Sequence, residues 1–331
     1  MDHNTVTSDS SPHILLLAQP RTGSFLLQRM LGIEDQPNVH FDNHAPTHCE
    51  AAMLMEELGI ASKGLEEWNE SQKAQVMEHF ASLTQSLLQR RAAAEADNKT
   101  LFYKDHPQFI WRLDARIQRE DGGFDAILPQ SDEAAHQAAA TNPTILPVEC
   151  LMSSRVVFSV RHPALSFASA FRGHIELRIH DPDNWRGELM RSWMTLTYSR
   201  VLYDWYRSYA QENESHQSPG DPIIVSMKDV IDDPSLVPKL AKMLGLDPSK
   251  VLSEWDTRSQ PENDRILRKI YCRSINCSTG VLKEKAPDTV DLDVETAKWV
   301  EEFGGNAATI LADCVKRAMP DYEYLMAWRL R

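Results

Sequence analysis

The sequence is short of several things, and each shortage removes a class of protein. No stretch approaches the ~20 consecutive apolar residues that a membrane span requires, and the apolar run Ile14 to Ala18 is only strand length. Residues 1–12 are polar and acidic, without the basic start and apolar segment of a secretory signal, and read as a flexible N-terminus. Cysteine is scarce, with five residues, an odd number, and no close CxxC spacing. That pattern argues against a disulfide framework or a zinc site and for reduced thiols in the cytoplasm. Positive charge is short as well: 35 Lys and Arg stand against 48 Asp and Glu, a formal net charge of −13. Such a field repels nucleic acid, anionic membrane surfaces and polyanionic sugars, so any anionic ligand must be held by local groups.

Two motif classes are also missing. There is no G-x-x-x-x-G-K-[ST] loop, which disfavours a nucleoside triphosphatase of the usual kind, and no internal repeat. His40, His44 and His48 lie beside Asp42 but lack compact ligand spacing such as His-Glu-x-x-His, so loop polarity accounts for them and no metal is expected.

What is present describes an α/β protein. With 42% hydrophobic and 25% charged residues, the chain has the balance of a globular protein with a large core. Buried strands are expected at 13–18, 100–104, 155–160 and 222–227, alternating with helical patterns at 25–31, 50–58, 64–91, 185–211, 233–244 and 294–317, and with a helix opened by Pro248. The segment 265–285 has loop composition, and 321–331 reads as a docked tail. The alternation predicts a mainly parallel sheet with helices on both faces, beginning with a P-loop-like strand–loop–helix. Motifs spread along the chain favour one domain over 13–331, with a variable surface excursion at about 119–148.

Three short stretches carry candidate chemistry. In the first loop, Arg21, Thr22, Gly23 and Ser24 precede Phe25 at a helix N-terminus, where backbone N–H groups converge on an anion. Arg161 follows a strand directly, with Ser169 two turns into the next helix, at the edge where open α/β sheets bind ligands. Lys104 and His106 alternate across Asp105 at a strand end, so their side chains share one face and pair a cation with a proton acceptor. Taken singly, each has a plainer account: a capping serine, a surface arginine, a satisfied histidine.

Together and in this order the stretches resemble the sulfotransferase family that uses 3′-phosphoadenosine 5′-phosphosulfate. Pro20-Arg21-Thr22-Gly23-Ser24 is similar to its 5′-phosphosulfate loop, Arg161 to Ser169 to its 3′-phosphate motif, and Lys104-Asp105-His106-Pro107 to the segment bearing its catalytic lysine and histidine. The resemblance implies His106 as base, Lys104 and Arg21 as charge stabilisers, and Arg161 and Ser169 as 3′-phosphate ligands. It aligns Arg273, Ser278, Thr279 and Gly280 loosely with a late loop that closes over that phosphate. It also implies a small-molecule acceptor bearing a hydroxyl or amine, entering between 41–48, the His106 segment and the excursion, and no metal. A homodimer stays open.

Two positions depart from the family pattern: Phe25 stands where a second hydroxyl residue is usual, and Leu26 where an adenine-stacking tryptophan is usual. They leave two other outcomes in view. One is elimination or cyclisation through a transient sulfate ester, and the other is a nucleotide-binding protein without catalysis.

Overall fold

Beyond its first residue, strand β1 (His13–Ala18) is apolar because both of its faces are covered. Ile14 and Leu16 enter one core while Leu15 and Leu17 enter another, the two-residue alternation of a strand with no solvent face. This computed structural model describes residues 13–41, 47–61, 63–118, 124–126, 141–177, 193–212, 220–262 and 264–331.

After β1 come α1 (Ser24–Met30), β2 (Val39–Phe41), α2 (Cys49–Glu57), α3 (Glu70–Ala96), β3 (Thr100–Asp105) and a small antiparallel pair, β4 (Arg116–Gln118) with β5 (Phe124–Ala126). Then follow α4 (Val148–Met152), β6 (Ser154–Val160), α5 (Pro163–Glu176), α6 (Thr197–Glu212), β7 (Ile223–Ser226), α7 (Met227–Asp232) and α8 (Leu236–Met243). The last elements are α9 (Ile266–Tyr271), α10 (Arg273–Asn276), α11 (Leu292–Phe303) and α12 (Gly305–Ala327).

The main sheet has the order β2-β3-β1-β6-β7, all parallel. Ile14 pairs with Phe102 on one side and Arg155 on the other, so β1 is the central strand. One face packs Leu27 and Met30 of α1 and Leu240 of α8. The opposite face packs Leu87 of α3, Tyr198 and Leu202 of α6 and Leu325 of α12. A third cluster joins Phe167 and Phe171 of α5 to Trp299 and Leu311. Each such side chain contributes about 1.5–3 kcal/mol on burial.

Four expectations are corrected. The single helix over 294–317 is two helices, because Gly304 takes φ 85° and turns the chain between α11 and α12. The second of them continues through Pro320 to Ala327, so most of the expected tail is helix. Beyond it Leu330 N donates to Ile224 O and Arg329 bridges Ile224 in parallel, covering the β7 edge. Pro248 opens only a three-residue 3-10 turn, and the expected loop at 265–285 contains α9 and α10.

The helix expected from 185 is described from Thr197, residues 185–192 lying outside the described part. So do 1–12 and, within the excursion, 119–123 and 127–140. Among the described residues no helix is long and apolar enough to cross a membrane.

Candidate active site

The C-terminal ends of β1, β3 and β6 open into one cavity of about 840 Å³. In a parallel sheet this is the edge where loops, rather than the ladder, present backbone N–H groups. The loop after β1 is held from within. Thr22 is fully buried and its hydroxyl donates to Gln19 O at 2.8 Å, while Ser159 at the end of β6 donates to Thr22 O. Arg21 takes φ 68°, unusual for a residue with a Cβ, and Gly23 takes φ 89°. A Cβ on Gly23 would also lie 3.2 Å from the Met227 side chain, which would have to give by a few tenths of an ångström, so the positive φ is the main reason for glycine here. Helix α1 starts at Ser24 with no side-chain cap, which leaves its first N–H groups for an outside acceptor.

Three cations converge beside this loop, and their hydrogen bonds go to neutral oxygens. Arg21 donates to Ser169 Oγ and to Tyr271 O, both at 3.0 Å, and its guanidinium lies 5.0 Å from the Tyr271 ring centre. Arg161 donates to Arg21 O at 3.2 Å and to Lys285 O at 2.7 Å. The Lys285 ammonium bonds Ser274 Oγ. Burial lowers all three: Arg21 through desolvation alone, Arg161 to about 10 through desolvation and then repulsion from Arg21 and Arg172, and Lys285 through desolvation and then Arg21 and Arg161. Two further cavity arginines are already paired, Arg172 with Glu302 and Arg268 with Asp264. Among the described residues none of the first three is ion-paired with a carboxylate, although Glu284 on the cavity rim acts on Lys285, and the surplus of unpaired positive charge fits an anion.

At the end of β3 the side chains divide as strand alternation requires. Lys104 and His106 line the cavity, while Asp105 turns away and is almost fully buried. Its carboxylate accepts from His48 Nδ1 at 2.7 Å, from His48 N at 3.2 Å and from His106 N at 2.9 Å. His48 is therefore a buried partner of β3 and not the loop polarity expected of it.

His106 Nδ1 donates to Ala18 O, which fixes the tautomer with Nε2 as the free acceptor. Desolvation first and the Lys104 charge second lower His106 to about 4, so the ring is neutral near pH 7. Desolvation also lowers Lys104 to about 7. Its Nζ lies 3.3 Å from the Phe25 ring centre.

Away from the cations the wall becomes aromatic. His106, Phe109, Trp193 and His174 form a chain of edge-to-face contacts with centroid spacings of 5.2, 5.2 and 4.6 Å. Gln19 Nε2 donates to Trp193 O and ties this wall to the first loop. Cys49 and Met53 of α2 supply the side expected from 41–48, of which 42–46 lie outside the described residues.

The structure thus brings Arg21, Thr22, Gly23, Ser24, Phe25, Lys104, His106, Arg161, Ser169, Ser278 and Gly280 to one cavity. Two expected residues stand elsewhere. Arg273 is ion-paired with Glu176 at the surface, and Thr279 accepts the Trp255 N–H through its carbonyl. Lys285 supplies the late-segment charge instead, a residue that only the basic character of 265–285 hinted at. Met227, Ile231, Tyr271 and the aromatic wall carried no sequence signal of their own. Tyr198, Tyr203 and Trp205 are core, as helical periodicity predicts, whereas Trp193 lines the cavity. Among the described residues there is no group of three or more His, Cys, Asp or Glu able to hold a metal ion.

No protein-family model matches the chain. It is 30% identical over 336 residues to a protein of Metarhizium rileyi (strain RCEF 4871) named sulfotransferase ppzF, covering 96% of this chain and 95% of that one. A protein of the same name from Metarhizium majus (strain ARSEF 297) is 29% identical over 335 residues, with 96% of each chain covered. Among solved structures, the sulfotransferase domain from the curacin biosynthetic pathway is 13% identical, with a TM-score of 0.35 over 88% of this chain and 97% of that one.

Proposed function

Since the chain belongs to the sulfotransferase family, we propose that it moves a sulfo group from 3′-phosphoadenosine 5′-phosphosulfate to a hydroxyl or amine of a small-molecule acceptor. The observation that carries this reading is the convergence of Arg21, Arg161 and Lys285, none of them ion-paired among the described residues, beside an uncapped helix start and within the same cavity as His106. A donor with two phosphates matches two sources of N–H and positive charge in one cavity. Ser24 and the α1 N-terminus serve the 5′ side, and Arg161, Ser169 and Lys285 the 3′ side. Leu26, Met227 and Ile231 offer the base an aliphatic slot in place of an aromatic platform.

The roles follow from position. An acceptor oxygen attacks sulfur from the aromatic side of the cavity, and His106 Nε2 receives the proton that the new sulfur–oxygen bond displaces. As the bond from sulfur to the phosphate oxygen breaks, the electron pair stays on that oxygen, where Lys104 and Arg21 supply positive charge. The transferred group thus passes between a neutral base and two cations.

Calorimetry with 3′-phosphoadenosine 5′-phosphate and adenosine monophosphate tests the reading without any acceptor. The bisphosphate is expected to bind far more tightly, and equal affinities would sink the two-phosphate site. Arg161→Ala is expected to weaken bisphosphate binding by about 2–5 kcal/mol, and Lys285→Ala to weaken it while leaving adenosine monophosphate unaffected.

A further inference from the structure

We propose that Phe25 is a positioning residue whose ring face holds the Lys104 ammonium beside the first loop, doing by a cation–π contact what a carboxylate would do elsewhere. Lys104 Nζ sits 3.3 Å from the ring centre, well inside the ~6 Å range of such contacts. Among the described residues the ammonium makes no hydrogen bond or ion pair. The nearest acid, Asp105, is its neighbour on the strand but is committed to His48 and the His106 N–H. With Lys104 only 5% exposed, the ring is its chief compensation for lost water.

A π face suits this place better than a carboxylate. A carboxylate would neutralise the lysine and repel an anionic ligand, whereas a ring favours the charged amine and adds no negative charge. The contact also accounts for an aromatic residue in the first turn of α1, where the ring can give no hydrogen bond to an anion. Phe25 borders the main cavity and also a small recess bearing Arg29, Arg268 and Cys272, and it is half-buried between them.

The groups that face Lys104 are Asp105 and His106 on its own segment, Arg21 on the loop, Arg268 and Cys272 from α9 and the residue after it, and Cys49 from α2. Of these, none changes when the electron density of the Phe25 ring is altered. That the held ammonium then meets a donor oxygen rests on the sulfo-transfer reading, while the holding itself does not.

The test uses the full chain with mono-, di- and trifluorinated phenylalanine at position 25, which drain the ring face with little change in shape. Lys104 is titrated by the pH dependence of its modification with acetic anhydride, followed by peptide mass mapping. The half-titration point is expected to fall with each added fluorine, by about 0.4 to 1.5 pH units across the series, and to stay near the wild-type value in Phe25→Tyr. A half-titration point indifferent to fluorine content overturns the proposal. Because no nucleotide is present, that failure is separate from failure of the calorimetry.

Discussion

Replacing His106 by alanine is expected to lower turnover with the true acceptor by about 10²- to 10⁴-fold, the usual contribution of a positioned base, while nucleotide affinity changes little. The two effects separate because His106 belongs to the aromatic end of the cavity, in contact with Phe109 and the first strand, and not to the cation cluster. His106→Asn restores a side chain that can bond Ala18 O but gives back no basic nitrogen, so it is expected to stay slow. Full turnover in His106→Ala would remove the residue from the mechanism.

The same geometry gives the reaction a sign with pH. A base lowered to about 4 is ready for a proton through the neutral range and is lost only as pH falls through 4. A lysine lowered to about 7 keeps its charge below that value and loses it as pH rises. With both states required, kcat/KM for the free enzyme is expected to form a bell with limbs near 4 and near 7. A bound anionic donor favours the charged form of both groups and moves both limbs of kcat to higher pH. In His106→Ala the alkaline limb should persist, since it belongs to Lys104.

The second large effect is on stability. Asp105→Ala removes the shared acceptor of three donors in a site with almost no solvent: His48 Nδ1, His48 N and His106 N. Stranding buried partners in this way costs about 3–5 kcal/mol, to be read as a drop in the urea midpoint at unchanged m-value. Turnover should fall too, because the peptide that sets His106 against Ala18 loses its anchor. His48→Ala gives a control. It removes one of the two histidine contacts but leaves the His106 N–H satisfied, so the stability loss should be smaller and His106 should keep its place.

How much of this was legible in the sequence depends on distance along the chain. The first strand, loop and helix are local, and the run Ile14 to Ala18 followed by Thr22-Gly23-Ser24 specifies all three. The alternation that sends Lys104 and His106 to one face is likewise local, and it equally implies that Asp105 faces the other way. What Asp105 meets there was hidden, because His48 reaches it across 57 positions and nothing in His48 distinguishes a buried partner from a polar loop residue.

The late segment shows the same limit. Arg273 and Lys285 look alike as basic residues near Gly280, and only the placement of Glu176 on α5 draws Arg273 to the surface and leaves Lys285 at the cavity. Phe25 reads from sequence as a lost hydroxyl, and only the fold puts Lys104 on its ring. Helix breaks were missed where one backbone angle decides them, as at Gly304.

The strand order has a consequence for how the protein is made. β1 leaves the ribosome before either of its neighbours, Thr100–Asp105 and Ser154–Val160, and neither side of its ladder can close until those have followed. At synthesis rates of about 5–20 residues per second, the apolar run Ile14 to Ala18 waits on the order of ten seconds for its second partner. During that interval it is an unpaired sticky strand, and no hairpin can protect it, because every pairing in the main sheet is parallel and distant. Yield during expression should accordingly depend on cover for the nascent chain by trigger-type chaperones. Refolding from denaturant should lose protein to aggregation steeply as concentration rises.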